Sequence, residues 1–283
     1  MSESLHKRMK FSLPDDVLEL IMSTFLPIQN ALRCRQVSSR FRKAKIRSRY
    51  LDFSGINSVK RSQLKVVDII DEVFKNHIGL EINQLVLILN HIGIEDKILM
   101  WIKKCIDKNL KELVLDFSKS KKVLEIPINF WAIETLTVLK LKWCKFEIPI
   151  NSLLKTKVTK EMIDAIFSNC IHLEMLELIK CSMYGILNIN AQNHKKFKSL
   201  VVYSMPDLLT IDLDAPTLEC YQYDGYVRIV DFSRVNALKE AKLHYNRSYD
   251  WHNYNPSAMV IANMGAYVGV HVLATTNIFL EED

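Results

Sequence analysis

The residues of this 283-residue chain best suited to metal chemistry are two thiols and an imidazole that stand close together in the sequence. Cys170, His172 and Cys181 are side-chain types that zinc prefers. No CxxC pair accompanies them, and the six cysteines are spread from Cys34 to Cys220, which is typical of reduced thiols in an intracellular protein. We therefore predict no metal, no cofactor and no disulfide framework.

Two carboxylates have the spacing of an acid–base pair. Asp212 and Asp214 alternate along a predicted strand, which places both on one face. A solvated strand face is the simpler interpretation, because no Gly-rich phosphate loop, HExxH helix or GxSxG elbow occurs in the chain. We predict that the chain is not an enzyme.

Aromatic residues follow the same carboxylates in the sequence. Tyr221, Tyr223, Tyr226 and Trp251 would offer a partner protein contact area at low entropic cost if they were exposed, and core packing is the alternative for each. If Leu213 is buried, the aspartates on either side of it point the other way. The segment of a partner protein that binds these residues is predicted to be basic or neutral. The residues predicted to bind it are Asp212, Asp214, Tyr221 and Tyr223.

Positive charge is concentrated at the N-terminus. Residues 1–60 contain twelve Lys or Arg against five Asp or Glu, whereas the whole chain has a net charge of +6. Such a cluster binds phosphates or acidic protein when it is exposed. A solvated helix face is the alternative, and without interleaved stacking aromatics nucleic acid is not the partner we predict. Most of the charge comes from Arg33, Arg35, Arg40, Arg42, Lys43, Lys45, Arg47 and Arg49.

Two segments bear on the location of the protein. No apolar run of signal-peptide length precedes Pro14, and we predict an intracellular protein of the nucleus or cytoplasm. Residues 256–280 carry no charge and are numerous enough to span a bilayer. Polar residues between Asn263 and Asn277 interrupt this segment, and no Lys or Arg follows it. We predict instead a buried helix and strand that close the fold, with no membrane contact.

Apolar periodicity predicts a small helical unit near the N-terminus. A helix begins at Pro14, which suits the first helical position, and its apolar face runs from Val17 to Phe25. The Leu26-Pro27 pair ends this helix, and two more short helices are predicted over 28–34 and 37–46. Three helices in so few residues bury a small core, so we expect the unit to need a partner for stability.

The same segment carries a family resemblance. Leu13-Pro14-Asp15-Asp16-Val17-Leu18, Phe25-Leu26-Pro27 and Gln36-Val37-Ser38-Ser39-Arg40-Phe41-Arg42 resemble an F-box in order and spacing. Phe41 stands where the family usually has a tryptophan, and Tyr50-Leu51-Asp52-Phe53 is similar to plant F-box proteins with leucine-rich repeats. The resemblance implies docking on a Skp-family adaptor, which links to the cullin and RING subunits of a ubiquitin ligase. The residues expected to dock are Leu13, Pro14, Leu18, Ile21, Leu26, Pro27, Val37 and Phe41.

A repeated apolar pattern fills the rest of the chain. The pattern apolar-x-x-apolar-x-apolar occurs seven times, with first positions 28, 26, 37, 24, 21 and 20 residues apart. All but one separation are typical of leucine-rich repeats, which give one strand each to a curved parallel sheet and return through a helix or an extended segment. The triplets are Ile82-Leu85-Leu87, Leu110-Leu113-Leu115, Leu136-Leu139-Leu141, Leu173-Leu176-Leu178, Phe197-Leu200-Val202, Leu218-Tyr221-Tyr223 and Leu238-Ala241-Leu243.

Amphipathic segments between the triplets predict the returning helices. Apolar residues at helical spacing indicate helices over 64–78 and 94–106, and a third that starts at Thr159 and continues through Phe167. The 37-residue separation marks a shortened repeat near 146–158.

These patterns together predict an α/β solenoid, in which a three-helix F-box precedes a curved leucine-rich-repeat array with parallel strands on its concave face. The predicted domains are a basic tail at 1–10, the F-box at 11–53, a connecting helix at 54–79 and the repeats with a C-terminal cap at 80–283. The predicted function is substrate recruitment for an SCF-type (Skp-cullin-F-box) ubiquitin ligase, whose substrate protein binds the repeats. The alternatives are a repeat protein that binds protein or nucleic acid without a ligase, and a shortened gene product.

Overall fold

The computed structural model describes residues 13–26, 28–37, 39–58, 62–120, 122–145, 155–226, 228–246 and 270–275. Pro27, Trp251, the basic tail, most of the predicted shortened repeat and most of the uncharged segment 256–280 lie outside the described residues. Our predictions for these parts therefore stay predictions.

Three α-helices and one π-helical turn follow one another at the N-terminus. Pro14 occupies the N-cap instead of the first helical position, and its carbonyl oxygen accepts a 3.1 Å hydrogen bond from the Leu18 amide. Asp15 and Asp16 lie in the first turn, where carboxylates interact favourably with the helix dipole. The elements are α1 (Asp15–Leu20), the π-helical turn (Ile21–Phe25), α2 (Ile28–Val37) and α3 (Ser39–Lys43).

The rest of the described chain alternates short strands with returning segments. Nine strands form one sheet in the order β1-β2-β3-β5-β7-β9-β11-β13-β14, and smaller sheets have the orders β8-β10-β12 and β4-β6. The strands are, in chain order, β1 (Tyr50–Asp52), β2 (Gln84–Ile88), β3 (Glu112–Asp116), β4 (Leu124–Glu125), β5 (Val138–Lys142), β6 (Cys144–Lys145), β7 (Met175–Ile179), β8 (Gly185–Asn190), β9 (Ser199–Tyr203), β10 (Leu208–Asp214), β11 (Cys220–Tyr226), β12 (Ile229–Asp231), β13 (Glu240–Asn246) and β14 (Val272–Thr275).

The nine-stranded sheet is parallel throughout, and its register matches the predicted repeats. Leu85 pairs with Leu113, which pairs with Leu139, and the same row continues through Leu176 and Leu200. These leucines are at most 1% exposed. All seven predicted triplets are confirmed as buried rows of parallel strands, because side chains alternate between the faces of a strand and each repeat presents the same face inward.

The length of each repeat decides how the chain returns. Separations of 28 and 37 residues contain the α-helices α5 (Glu95–Ile106) and α6 (Lys155–Asn169), and α4 (Gln63–Asn76) precedes β2. Separations of 20 to 24 residues return through β8, β10 and β12, because too few residues remain for a helix. The three predicted helices are confirmed, although α6 begins at Lys155 and not at Thr159.

The uncharged C-terminal segment contributes one described strand. β14 pairs in parallel with β13, with Val272 opposite Glu240. Val272 and Leu273 are 50% and 41% exposed, so this strand is not buried as predicted. Among the described residues, no helix is both long enough and apolar enough to cross a membrane.

One hydrophobic core joins the N-terminal helices to the repeats. Ile28 and Leu32 of α2 belong to the same buried cluster as Phe74 and Trp101 of the first returning helices, and the cluster continues to Tyr245 of β13. Phe74 and Trp101 stack with their ring centroids 6.5 Å apart. A mostly parallel α/β repeat fold therefore shares its core with the helical unit.

Candidate functional site

The predicted docking residues of the N-terminal unit divide by burial. Leu13 and Val37 are 46% and 86% exposed, and Pro14 is also exposed. Leu18 is only 4% exposed, so it packs the interior and does not offer a docking surface, which corrects that prediction. Its position on the inward face of α1 explains the burial. Ile21, Leu26 and Phe41 are half-buried, and the last two pack against a core of Met22, Ala31 and Ala44.

Leu20 is an exposed apolar residue that our sequence analysis missed. It is 53% exposed at the end of α1. The signal was present in the sequence, because Leu20 falls away from the helical face that Val17, Leu18 and Ile21 share.

A network of polar contacts fixes the N-terminal helices to one another and to α4. The Arg40 guanidinium of α3 donates to an Asp15 carboxylate oxygen and to the Leu13 carbonyl oxygen, both at 2.5 Å. The buried Arg35 of α2 donates to the Ala44 carbonyl oxygen at 2.7 Å and to Glu72 Oε1 at 2.9 Å. The ion pair with Glu72 joins the helical unit directly to the first helix of the repeats.

A second junction is built around the buried His77, which follows α4. Its Nε2 atom lies 2.8 Å from the Ser48 carbonyl oxygen, and its Nδ1 atom lies 3.0 Å from the Lys108 ammonium. Nε2 must therefore carry the proton that it donates, while Nδ1 accepts from Lys108. Burial lowers the pKa of His77, and the positive charge of Lys108 lowers it further against the effect of the Ser48 hydrogen bond. His77 is consequently a neutral link between the segment after α3 and the first repeat.

The outward face of the nine-stranded sheet carries side chains of both charges. Lys140 pairs with Glu177 at 3.0 Å, and Lys142 pairs with Asp116 at 3.0 Å, each across neighbouring strands. Apolar side chains such as Val114 stand between these pairs. The face is therefore mixed and without a strong field of either sign, which suits a protein partner better than a polyanion.

Tyr221 and Tyr223 do not lie on that outward face. They are 0% and 3% exposed and point into the core, so the prediction that they offer exposed contact area is wrong. They occupy the second and third apolar positions of their repeat, where every other repeat buries an aliphatic side chain or alanine. The Tyr221 ring packs against Phe232 at a centroid distance of 5.2 Å. Core packing, the alternative considered from the sequence, is the correct interpretation.

Asp212 and Asp214 lie on β10, in the three-stranded sheet of returning segments. Arg234 pairs with both, with Nη1 at 2.9 Å from Asp214. Gln192 donates to Asp214 at 2.5 Å, and Asp214 is only 7% exposed. Leu213 is buried, and Arg234 offsets one of the two negative charges. Because Asp214 and both tyrosines are buried, the aspartates do not form an acidic surface together with the tyrosines.

The three candidate zinc ligands are separate. Cys170 donates to the Trp131 carbonyl oxygen at 3.3 Å and Cys181 to the Leu141 carbonyl oxygen at 3.3 Å, whereas His172 is exposed. Burial raises the pKa of Cys170 to about 11, so the thiol stays protonated. Within the described ranges, no group of three His, Cys, Asp or Glu side chains is arranged to hold a metal ion.

A cavity of about 540 Å³ opens beside the outward face, where β5, β7, β9, β11 and β13 end. Trp143, Lys180 and Ser204 line it, and each follows its strand directly. Their φ angles are 59°, 49° and 51°, in the left-handed region that non-glycine residues rarely adopt. Left-handed backbone of this kind costs about 1–2 kcal/mol per residue and is concentrated at functional sites.

Ladder hydrogen bonds stack these three residues on neighbouring repeats. The Trp143 amide donates to the Ile179 carbonyl oxygen at 3.0 Å, the Lys180 amide to Tyr203 at 2.8 Å and the Ser204 amide to Asp224 at 2.6 Å. Because neighbouring strands are about 4.8 Å apart, their side chains leave the sheet as a closely spaced row. The row forms one wall of the cavity.

Arg228 and Tyr223 hold Tyr226, which lines the cavity. The Arg228 guanidinium lies 5.3 Å from the centre of the Tyr226 ring and donates to the Pro206 carbonyl oxygen at 3.2 Å. The buried Tyr223 hydroxyl donates to the Tyr226 carbonyl oxygen at 2.5 Å. A Cβ atom at Gly225 would lie 2.9 Å from that hydroxyl, so glycine permits the close approach. Tyr223 thus fixes the backbone of a residue that lines the cavity.

Polar groups converge on the same cavity. The Asp224 carboxylate accepts hydrogen bonds from Ser204 Oγ at 3.3 Å and from Asn246 Nδ2 at 3.2 Å. A hydrogen bond to the same carboxylate raises the pKa of Tyr203, because the charged carboxylate favours the protonated phenol. Lys180 and Asp207 line the cavity with exposed side chains, and among the described residues neither forms an ion pair.

The in-register apolar rows and the returning segments define a leucine-rich-repeat protein with a separate N-terminal helical unit. Comparison with family models gives the same two parts, an F-box domain at residues 11–50 and an At1g61320/AtMIF1 LRR domain at residues 73–264. The chain belongs to the At1g61320/AtMIF1 leucine-rich-repeat family and carries an F-box.

Similar proteins of Arabidopsis thaliana are named as F-box proteins. The FBD-associated F-box protein At1g61320 is 57% identical over 294 residues, which cover 99% of this chain and 64% of that protein. The putative FBD-associated F-box protein At1g61330 is 56% identical, over 99% of this chain and 65% of its own length. The F-box protein At3g62230 is 27% identical over 88% of this chain and 60% of its own. The chain thus spans just under two thirds of the length of these relatives.

Proposed function

We propose that this chain is the substrate-recruiting adaptor of an SCF-type ubiquitin ligase. The F-box docks on a Skp-family adaptor, and through it on cullin and RING subunits, while the repeats bind the substrate protein. The observation that carries this proposal is the F-box match at residues 11–50. Leu13, Pro14 and Val37 of this segment are apolar and exposed, so their side chains are available to a partner. F-box proteins usually act in such ligases, and two of the similar proteins are named as FBD-associated F-box proteins.

The mechanism is positional and needs no catalytic residue in this chain. A substrate bound to the repeats has its lysines held near the ubiquitin-charged conjugating enzyme, which raises their effective concentration. This works only if the F-box and the repeats keep a constant relation. The shared core through Ile28 and Leu32 and the Arg35–Glu72 ion pair support such a rigid connection.

The fine geometry of the repeats is part of the same proposal. The nine parallel strands would form the concave face of a solenoid, with the helices and β8, β10 and β12 on the outside. In-register pairing of successive repeats and the returning helices α5 and α6, which are bulkier than a strand, support this curvature. The substrate would bind the mixed-charge outward face of the strands.

The adaptor proposal is tested by one substitution at the most exposed apolar residue of the F-box. Val37→Asp should abolish recovery of the Skp-family partner and cullin from cells, because docking buries apolar area and a carboxylate opposes desolvation. Val37 is 86% exposed, so the fold should be unaffected. Leu80→Asp is the matched control, since Leu80 is 90% exposed and lies outside the F-box, and it should retain both partners.

Nucleic-acid binding is the competing proposal for the same end of the chain. Three of the eight basic residues are already engaged, since Arg35 is 5% exposed and paired with Glu72, Arg40 pairs with Asp15 and Arg49 pairs with Glu81. The exposed Lys43, Lys45 and Arg47 are among those left to supply the phosphate contacts. Their replacement by Gln should leave cullin recovery intact. Loss of cullin with these changes, together with its retention by Val37→Asp, would refute the adaptor proposal.

A further inference from the structure

No residue that lines the cavity belongs to the F-box match at residues 11–50. Trp143, Lys180 and Ser204, which line it, have left-handed backbone, and this raises the free energy of the folded state. Its volume of about 540 Å³ is within the range of ligand-binding pockets, roughly 300–1,000 Å³. The cavity is therefore a candidate binding site in its own right.

The lining of the cavity indicates the chemistry of its occupant. Trp143, Met205, Pro206 and Tyr226 supply apolar and aromatic surface, which favours a large apolar group. Lys180 and Asp207 carry opposite charges that are exposed and, within the part of the chain that the structure describes, unpaired with each other. An occupant that pairs with both presents a negative group and a positive group as well as an apolar one.

The position of the cavity indicates that this occupant is a polypeptide. Ile179 and Tyr203 end β7 and β9, and the lining residues Lys180 and Ser204 follow them directly, while Tyr226, which ends β11, lines the cavity itself. A protein segment lying on the outward face therefore reaches the cavity without a break. A side chain of that segment can enter the cavity while its neighbours meet the two charges.

We propose that this cavity is the anchor site for the substrate: it accepts a bulky apolar or aromatic side chain of a protein segment that has an acidic residue on one side, for Lys180, and a basic residue on the other, for Asp207. This inference rests on the proposed adaptor function, and names the chemistry of the substrate segment. It also replaces the sequence-based location at Tyr221 and Tyr223, which are buried. The anchor supplies most of the binding energy, and the two charges select the orientation of the segment.

The experiment uses the full chain, both alone and together with its Skp-family partner, and a displayed library of random dodecapeptides. Selected peptides should share a large apolar residue between an acidic and a basic one, and synthetic copies should lose at least about tenfold in affinity when the apolar residue becomes Ser. Ser182 lines the cavity, and Ser182→Trp should fill it and weaken the same peptides by at least about tenfold. Lys119→Trp is the matched control, because Lys119 is exposed at the equivalent position of an earlier repeat and does not line the cavity.

Charge reversal tests the orientation and does not depend on the Trp variant folding. Selection on Lys180→Glu should enrich peptides with a basic residue in place of the acidic one, while melting and circular dichroism stay those of the unchanged protein. Unchanged charge preference, equal binding to Ser182→Trp and Lys119→Trp, or failure to enrich any peptide would each overturn the proposal. A small organic molecule retained by the unchanged protein in native mass spectrometry, and lost from Lys180→Glu, would assign the cavity to a small ligand and overturn it as well.

Partner recovery separates the failure of this inference from that of the adaptor function. If the chain recovers the Skp-family partner but selects no anchored peptide, only the anchor site is wrong. If it selects anchored peptides but recovers neither Skp-family partner nor cullin, the anchor site stands and the adaptor function fails.

Discussion

At the scale of single residues, the strained positions are the informative ones. Trp143, Lys180 and Ser204 adopt left-handed backbone where glycine or asparagine would be easier, and all three line one cavity. The sequence shows neither the strain nor the clustering, because a left-handed φ is visible from sequence only when glycine marks it. Substitutions at these residues distinguish the cost of the left-handed backbone from the contribution of the side chain to binding.

Lys180→Gly should stabilise the folded chain while it removes the proposed contact with substrate. Relief of left-handed strain is worth about 1–2 kcal/mol. The larger freedom of glycine in the unfolded chain cancels about half of that, so we expect a net gain of about 0.5–1 kcal/mol. Urea unfolding measures the gain. Lys180→Ala removes the same charge but keeps the strained backbone, and a similar gain in that variant would show that strain is not the cause.

At the scale of elements, the junctions between the N-terminal helices and the first repeats depend on buried polar groups. Arg35 links α2 to α4, and His77 links the residues after α3 to the end of α5 through Ser48 and Lys108. Such groups are costly to bury unless every partner is present. These contacts make the relation between the F-box and the repeats sensitive to single changes and to pH.

The junction at His77 should weaken in mild acid. The pKa of His77 is lowered by burial and by Lys108 from its ordinary value of 6.5, so the folded state disfavours the protonated ring. The stability that neutral His77 contributes is therefore fully present above about pH 6.5. It declines as the pH falls below that value, because the unfolded chain binds the proton more readily. Unfolding measured from pH 7.5 to 5 should show this decline.

His77→Gln provides the comparison for that pH dependence. It should flatten the decline in stability below pH 6.5, whereas His172→Gln, at an exposed position, should leave the decline unchanged. His194, whose pKa is also lowered by burial, should account for part of the decline that remains. Identical pH profiles for His77→Gln and the unchanged protein would show that His77 is not responsible.

At the scale of the whole molecule, one hydrophobic core runs from α2 to β13, and each repeat is stabilised only by its neighbours. Damage to one repeat should therefore spread to the next ones before it reaches the ends. The position of the cavity at the strand ends of five repeats makes binding there dependent on this stacking.

Leu176→Ala tests the spread of damage through the stack. Leu176 is 0% exposed in the central row, and its truncation should cost about 2–5 kcal/mol through the cavity that it leaves. Hydrogen exchange should show the largest loss of protection in β5, β7 and β9, which are neighbours in the sheet. Ile186→Ala, at a residue that is 55% exposed, is the control and should change little. Equal loss of protection across all strands would indicate a single cooperative unit instead.

Much of the fold was predictable because it follows from local periodicity. The triplets from Ile82 to Leu243 predict each buried row, and helical spacing predicts α4, α5 and α6. Predictions on individual side chains were less successful where residues that pack the interior and residues that are exposed belong to the same apolar motif. Leu18 and Val37 both belong to the F-box motif, yet they are 4% and 86% exposed. Apolar character alone does not say which side of a short helix meets the interior.

The sequence by itself determined the class of this protein, its repeat register and its F-box, because apolar spacing and a motif of fixed order depend only on neighbours along the chain. Only the tertiary structure decided where binding chemistry is placed. Tyr221 and Tyr223 lie in the core, and Arg234 pairs with both aspartates of β10 from 20 and 22 residues away. Lys180 and Ser204 came together at a cavity because parallel strands bring residues of successive repeats side by side, and no local pattern records that distance.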